Sequence, residues 1–182
     1  RPIGFDRAEI SLAYDPVTAR IDLADLSVDS PSLRLKARGH GDLQGPDGGA
    51  LAVGALPDAI IAQIAFQQVM VDPEGLFEEP IRFGEGALDL RLRLNPFRLD
   101  IGQLALTEGN ERLLLSGQVG AEEAGWGGAL DVRLNQIDAE RLLKVWPVAA
   151  VPKTRAWFAS NVGQGRLSDV QAALRLEPGG QP

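Results

Sequence analysis

Residues 88–94 (LDLRLRL) decide the fold, because leucine alternates with a charged residue throughout this stretch. Successive side chains of a β-strand point to opposite faces, so the alternation predicts a strand with one apolar and one solvated face. Residues 130–134 (LDVRL) and residues 9–14 (EISLAY) show a similar pattern. The chain therefore predicts several half-buried strands that share one apolar face.

Turn-forming sequences separate these segments. Asp15-Pro16 and Asn95-Pro96 are typical turn starters, and residues 39–42 (GHGD) and 108–110 (EGN) are also predicted to form loops. Connections this short join antiparallel strands, since parallel pairing requires a crossover of about a dozen or more residues. The simplest topology is a meander.

Internal repetition is the second signal. Residues 21–28, 64–71 and 99–106 all follow the order apolar, x, apolar, x, x, apolar, x, apolar. A strand that changes phase in this way keeps one face only if a residue bulges out, which predicts β-bulges near Asp25 and Gln103. Residues 86–92 (GALDLRL) also recur as 128–134 (GALDVRL). We interpret these matches as a multi-strand repeat, although a Leu-rich chain also produces such patterns by chance, and residues 60–71 fit a helix as a second choice.

Two short helices are predicted near the C-terminus. Asp138 can cap a helix over residues 139–145, and Pro152 can open another that runs to Val162. The expected fold is mainly β: an elongated, curved antiparallel β-sheet with these two helices. Residues 1–137 would form the repeat-built sheet, 138–163 the helices, and 164–182 a returning strand with a frayed end at residues 178–180.

Composition restricts the function. The 182 residues carry a net charge of −7, and no segment is long and apolar enough to cross a bilayer as a helix, so neither nucleic acid nor a membrane-spanning role is expected. The chain has no cysteine, which removes thiolate chemistry and Cys-based zinc sites. It starts at Arg1 without a methionine or a signal segment, so we expect any anchor to lie outside it.

Catalytic groups are sparse. His40 is the single histidine and lies in a predicted Gly-rich turn, so a catalytic triad or a His-based metal site is not expected. The glycines of residues 39–49 are interpreted as a hairpin turn, because no capped helix follows to hold a phosphate. The acidic pairs Glu78-Glu79 and Glu122-Glu123 are interpreted as solvated loop residues. We expect no enzyme activity and no cofactor.

Two groups of residues are candidates for binding. The first is the apolar face, a candidate lipid groove: Ile21, Leu23, Leu88, Leu90, Leu92, Leu99, Ile101, Leu130, Val132 and Leu134. The second is the one basic region, a candidate contact for lipid headgroups or a partner: Arg141, Lys144, Lys153, Arg155 and Arg166. Each has a plainer alternative, since the apolar face could be a closed core and the basic residues a solvated helix surface.

A family resemblance rests on three segments in order. They are residues 142–147 (LLKVWP), residues 152–158 (PKTRAWF) and residues 165–167 (GRL). In this order the chain resembles the conserved domain of large AsmA-like bacterial envelope proteins, where a helix ending in Trp-Pro precedes a Pro-x-x-Arg-x-Trp helix and a Gly-led strand. Trp146, Pro147, Arg155 and Trp157 are the matching landmarks.

The resemblance implies a periplasmic protein that is anchored to the inner membrane outside this segment. It also implies a β-groove that conducts phospholipid between the inner and outer membranes, with acyl chains and flanking segments of the parent chain as partners. The alternative is a non-catalytic scaffold for envelope assembly, in which the same apolar face is closed.

Overall fold

The computed structural model describes residues 6–178, which form one antiparallel β-sheet, two α-helices and a short 3₁₀ turn at Pro46–Gly48. The frayed end predicted at residues 178–180 lies mostly outside this range, as does the chain start at Arg1. The strands are β1 (Arg7–Asp15), β2 (Arg20–Asp29), β3 (Leu33–Gln44), β4 (Ala59–Val71), β5 (Ile81–Leu94), β6 (Phe97–Glu108), β7 (Glu111–Glu122), β8 (Gly125–Asp138) and β9 (Arg166–Leu176). The helices α1 (Ala139–Val145) and α2 (Pro152–Asn161) lie between β8 and β9.

The sheet is a nine-stranded meander in which each strand pairs with the next in sequence. The predicted mainly β fold and antiparallel order are confirmed, and residues 60–71 lie in β4 rather than in a helix. The sheet is open, because β1 pairs only with β2 and β9 only with β8. We call the strand ends that carry the β1–β2, β3–β4, β5–β6 and β7–β8 connections the loop end, and the opposite strand ends the helix end.

The predicted bulges are present. The β2–β3 register shifts between Leu23 and Leu26, around Asp25, and the β6–β7 register shifts between Ile101 and Leu104, around Gln103. In β4 the phase changes at Gln68, whose φ of 56° is a left-handed value. Each bulge inserts one residue, so both halves of the strand keep their apolar side chains on the same face.

Strand pairing reveals a structural repeat of 78 residues. Leu12 pairs with Leu23, and Leu23 pairs with Gly39. The same pairing recurs 78 residues later, where Leu90 pairs with Ile101 and Ile101 pairs with Gly117. The register shifts in β1–β3 and β5–β7 recur at the same spacing. The repeating unit therefore contains at least three strands.

The likeness between residues 86–92 and 128–134 is not part of this repeat. These segments lie in β5 and β8, which run in opposite directions in the sheet. Both segments have small residues followed by alternating apolar side chains, which lie on the apolar face. The interpretation of this match as a repeat was wrong, because strands that run in opposite directions can share the same alternation of apolar and polar residues.

The predicted loop at residues 39–42 is also wrong, because the segment lies inside β3. Glycine is needed at Gly39 for a close approach between strands rather than for a turn. A Cβ atom built there would lie 2.1 Å from the Gln63 carbonyl oxygen. Gly117, the equivalent residue of the repeat, has φ 147° and would place its Cβ atom 2.0 Å from the Ala129 carbonyl oxygen. Mid-strand glycines often mark such approaches.

The best-buried cluster of apolar side chains lies toward the helix end. Val69, Phe83 and Leu106 are buried, and five further apolar residues pack against them: Phe66, Val71, Ile81, Leu104 and Leu113. The connection between β4 and β5 and the helix α1 lie next to this region, since residues of both line one depression with Ile81 and Glu108. The sheet thus has a packed end and a more open remainder.

Candidate functional site

An uninterrupted apolar surface crosses the whole sheet. Side chains that are directly paired across neighbouring strands point to the same face, so the registers define rows of residues. Three rows cross all nine strands, from β1 to β9. The first is Tyr14, Ile21, Gly41, Ala62, Leu90, Ile101, Gly117, Leu130 and Leu174. The second is Leu12, Leu23, Gly39, Ile64, Leu88, Leu104, Leu115, Val132 and Ala172. The third is Ile10, Leu26, Ala37, Phe66, Gly86, Leu106, Leu113, Leu134 and Val170.

The structure brings all ten residues of the candidate groove onto this one face. Eight of them lie in the three rows, and Leu92 and Leu99 pair with each other in a fourth row nearer the loop end. No position in the three rows carries a charge, and the Tyr14 hydroxyl is their one polar side-chain group. We call this surface the apolar face.

Most of the apolar face is only partly buried. Of its 27 residues in the three rows, Ala37, Gly41, Leu106 and Leu134 are buried, whereas those near the middle of the sheet, such as Leu88 and Leu90, keep part of their surface exposed. At the two edges the exposure is large, as Ile10, Leu12 and Leu174 show. A core closed against a second layer would bury these side chains almost completely. The face is therefore accessible to an apolar ligand.

The opposite face is polar and carries ion pairs between neighbouring strands. Asp100 on β6 accepts hydrogen bonds from Arg93 Nη2 at 2.9 Å and Arg98 Nε at 2.7 Å. Arg175 on β9 pairs with Asp131 on β8 at 2.7 Å. Ion pairs of this kind keep a sheet face hydrated and fix its cross-strand partners.

Asp100 gives this polar face a pH dependence. Partial burial opposes ionisation of its carboxyl group, but hydrogen bonds from Arg98 and Arg93 prevail and hold its pKa below the ordinary value of 3.8. A lowered folded-state pKa stabilises the fold above the unfolded-state value, and that stabilisation disappears as pH falls through the folded-state value. Asp100→Asn should therefore lower the free energy of unfolding at neutral pH.

The measurement is urea unfolding of both proteins between neutral and strongly acidic pH. We expect the two stability curves to converge as the pH falls below 3.8. A stability difference that stays constant down to acidic pH would contradict this role for the Asp100 charge.

His40 lies in β3 on the polar face, not in the solvated turn that the sequence predicted. It is partly buried and lines a shallow depression of about 580 Å³ with Arg38, Gln63 and Asp89. The turn prediction failed because the flanking glycines serve the close approach of β3 to β4. Ala24, Ala65 and Ala87 also line this depression, so its lining is mixed polar and apolar.

Three of the four family landmarks, Trp146, Pro147 and Arg155, make contacts that connect the two helices. The Trp146 indole N–H donates to the Ala150 carbonyl oxygen at 2.8 Å, and its ring lies 6.1 Å from that of Phe158. Arg155, whose side chain is 16% exposed, donates to the Leu143 carbonyl oxygen at 3.0 Å. The Pro147 carbonyl oxygen accepts from the Ala150 N–H at 2.9 Å. These three landmarks hold α1 against α2.

Trp157, the fourth landmark, differs from the other three because most of its surface is exposed. The predicted helix bounds agree with the structure, but the Asp138 side chain makes no capping hydrogen bond. Asp138 pairs instead with Arg166 at 3.2 Å, which joins the start of α1 to the start of β9.

The basic region is largely neutralised by acids from other elements. Arg155 pairs with Glu78, Lys144 with Glu79 at 2.9 Å, and Arg141 with Glu111 at 3.1 Å. Sequence reasoning treated Glu78 and Glu79 as solvated loop residues and missed that each one binds a different helix. With Arg166 on Asp138, four of the five basic residues have a partner in the chain. Lys153 is exposed on α2.

Glu111 shows how closely α1 approaches the sheet. Burial raises the pKa of its carboxyl group, and the nearby charges of Asp138 and Glu108 raise it further, although Arg141 opposes the shift. The Glu111–Arg141 pair thus joins α1 to the first residue of β7. The depression beside it is lined by acids as well as by Arg82, Arg141 and Lys144.

Neither helix described between residues 6 and 178 has the length and apolar character to cross a membrane. Over the same residues, no group of three or more His, Cys, Asp or Glu side chains could hold a metal ion. Comparison with protein-family models, with curated proteins and with solved structures gave no match. The apolar face is therefore the principal guide to function.

Proposed function

We propose that the apolar face binds the acyl chains of phospholipids, and that the protein is an AsmA-like periplasmic envelope protein conducting phospholipid between inner and outer membranes. The observation that carries this proposal is the set of three uncharged rows that cross all nine strands and stay accessible. The sequence resemblance in residues 142–167 supports the cellular setting.

The energetics favour such a surface. Each CH₂ group moved out of water onto an apolar surface is stabilised by ~0.8 kcal/mol, so exposing a two-chain lipid to water is costly. One leaflet of the ~30 Å hydrocarbon core is about 15 Å thick, roughly the width of three strands spaced ~4.8 Å apart. A nine-stranded face can therefore hold a chain at several positions. Interchangeable Leu, Ile, Val and Ala contacts would let the chain slide.

The proposal is for a non-catalytic protein. Several charged groups of the polar face form ion pairs with one another, as Asp100 does with Arg93 and Arg98. At the helix end, Arg141, Lys144 and Arg155 also pair with acids of the same chain. The work of the protein would consist of shielding acyl chains from water.

The test places a charge in the middle of the apolar face. Leu90→Asp and Val132→Asp should remove lipid that co-purifies with the protein, because a carboxylate beside an acyl chain would lose its hydration. The measurement is lipid extraction and mass spectrometry after purification without detergent. Ala87→Asp is the matched control, since Ala87 lies on the same strand as Leu90 but on the polar face.

We expect both apolar-face variants to stay folded and lose lipid, and the control to keep it. If Leu90→Asp and Val132→Asp unfold the protein and the parent never contains lipid, the face is a closed core. The scaffold interpretation would then replace the lipid-binding one.

A further inference from the structure

The loop end of the sheet exposes apolar side chains where surface connections are usually polar. Residues 48–57 (GGALAVGALP), in the β3–β4 connection, contain no charged or hydrogen-bonding side chain. At its tip Val53 is 97% exposed and Leu56 is 88% exposed. The sequence interpretation covered only its first two residues, Gly48 and Gly49, as part of a predicted hairpin turn. Exposed apolar patches of this kind mark interaction sites.

The loop is held in this exposed arrangement by its backbone. Hydrogen bonds join Gly45 to Gly49 at 3.0 Å and Asp58 to Gln44 at 2.9 Å, closing its base. At the tip, the Ala55 N–H donates to the Ala52 carbonyl oxygen at 3.0 Å, and Gly54 has φ 79°. The tip is a defined turn that presents Val53 and Leu56 outward.

Other connections at the same end present apolar residues too. Val17 in the β1–β2 turn is 92% exposed, and the Asp15 carboxylate holds that turn by accepting hydrogen bonds from the Val17 N–H and Thr18 hydroxyl, each at 2.8 Å. Trp126, beside the β7–β8 turn, is largely exposed and its ring contacts that of Phe97 at 5.5 Å. The β1–β2 turn lies two strands, or about 10 Å, from the β3–β4 connection, and the β7–β8 turn lies four strands, or about 19 Å, on its other side.

We infer that the loop end docks on the surface of a zwitterionic lipid bilayer, with Val53 and Leu56 inserted among the acyl chains. Separate apolar tips spaced about 10–20 Å apart along one end of the sheet suit a fluid apolar medium. A protein partner would instead require hydrogen bonds, about one per 100–200 Å² of interface, and residues 48–57 offer no side chain for them. In this docked arrangement the Phe97–Trp126 pair would lie near the bilayer surface, where aromatic residues gather.

The charged residues of the loop end determine which kind of bilayer this end would bind. The acids at this end include Asp47, Asp58, Glu122 and Glu123, and Arg20 is already paired with Asp22 and Asp42. An anionic surface would repel this set of carboxylates, whereas a zwitterionic surface would not. The inference deepens the proposed function and rests on it, because it names the end at which lipid meets the apolar face.

The experiment measures flotation of the protein with phosphatidylcholine vesicles, with and without added phosphatidylglycerol. The test variant is Val53→Asp with Leu56→Asp. The matched control is Val148→Asp with Val151→Asp, two exposed valines at the helix end. We expect the test variant to bind phosphatidylcholine vesicles at least tenfold more weakly, roughly the loss from two apolar side chains, and the control to bind as the parent does.

Several results would overturn the inference. The first is a parent protein that does not float with phosphatidylcholine, and the second is a loop variant that floats as well as the parent. The third is binding that needs phosphatidylglycerol and survives the loop change, which would favour the helix end. The fourth is a loop change that only dissociates a dimer, which would make the loop a contact between copies.

Failure of this inference can be separated from failure of the proposed function by measuring co-purified lipid in the same preparations. Loss of flotation with retained lipid in the loop variant supports the docking role alone. Lipid in the parent without any flotation would leave the apolar face as the lipid site and remove the loop end as its contact with the bilayer. Absence of lipid from the parent counts against the proposed function instead.

Discussion

Gly117→Ala is expected to lower the free energy of unfolding by about 3–5 kcal/mol, or the melting temperature by roughly 10 °C. Gly117 has φ 147°, a conformation that an alanine rarely adopts, and an added Cβ atom would lie 2.0 Å from the Ala129 carbonyl oxygen. The strand pair β7–β8 would have to separate at its centre. Urea unfolding and thermal melting measure the effect.

Gly102→Ala is the control for this prediction. Gly102 lies at the bulge of β6, where a Cβ atom would meet its nearest neighbour at an ordinary 3.5 Å. We expect a change within about 1 kcal/mol. Gly39→Ala should behave like Gly117→Ala, because both positions are equivalent in the 78-residue repeat and both approach a neighbouring carbonyl oxygen. If Gly102→Ala and Gly117→Ala lowered the free energy of unfolding equally, the close approach of β7 to β8 at Gly117 would not be the cause of the loss.

Phe83→Ala is expected to cost about 3–5 kcal/mol, the usual range for removing a buried aromatic side chain. Phe83 is 9% exposed and lies in the buried cluster with Val69 and Leu106 near the helix end. Its removal leaves a cavity that the surrounding backbone cannot close. Urea unfolding monitored by circular dichroism provides the measurement.

Leu90→Ala, on the same strand, is the matched comparison. Leu90 lies on the apolar face away from this cluster and is only partly buried, so we expect a loss of roughly 1 kcal/mol. A cost for Leu90→Ala as large as that for Phe83→Ala would mean that the apolar face is covered in solution, and would argue against an accessible lipid site.

These predictions divide the apolar face into two parts with different roles. The cluster around Phe83, next to the helices, supplies packing stability. The rows through Leu88 and Leu90 supply an accessible surface whose loss should affect binding more than folding. Trp146 and Arg155 connect the two helices, and the Arg155–Glu78 ion pair joins them to the β4–β5 connection beside the Phe83 cluster. The helices therefore stabilise one end of the sheet without covering the rest of the apolar face.

The sequence by itself determined the strands, their antiparallel order and the apolar face. Alternation of apolar and polar residues has a period of two, which is the period of a strand, so residues 88–94 and 130–134 specified both structure and face. The phase changes near Asp25 and Gln103 specified bulges, because a strand with one buried face has no other way to keep its register. Helix bounds followed from Pro152 and from Asp138 as a helix start, although the Asp138 side chain makes no capping hydrogen bond.

The tertiary structure alone decided features that depend on neighbours distant in sequence. From the sequence, Gly39 was interpreted as a turn residue, but it allows the close approach of β3 to β4. Glu78 and Glu79 were interpreted as solvated acids, but they pair with Arg155 and Lys144 of the two helices. Whether an apolar face is open or covered is likewise set by what packs against it, since alternation is identical in both cases. The exposed loop end arose in the same way, because only the strand order brings Val17, Val53 and Trp126 to one end of the sheet.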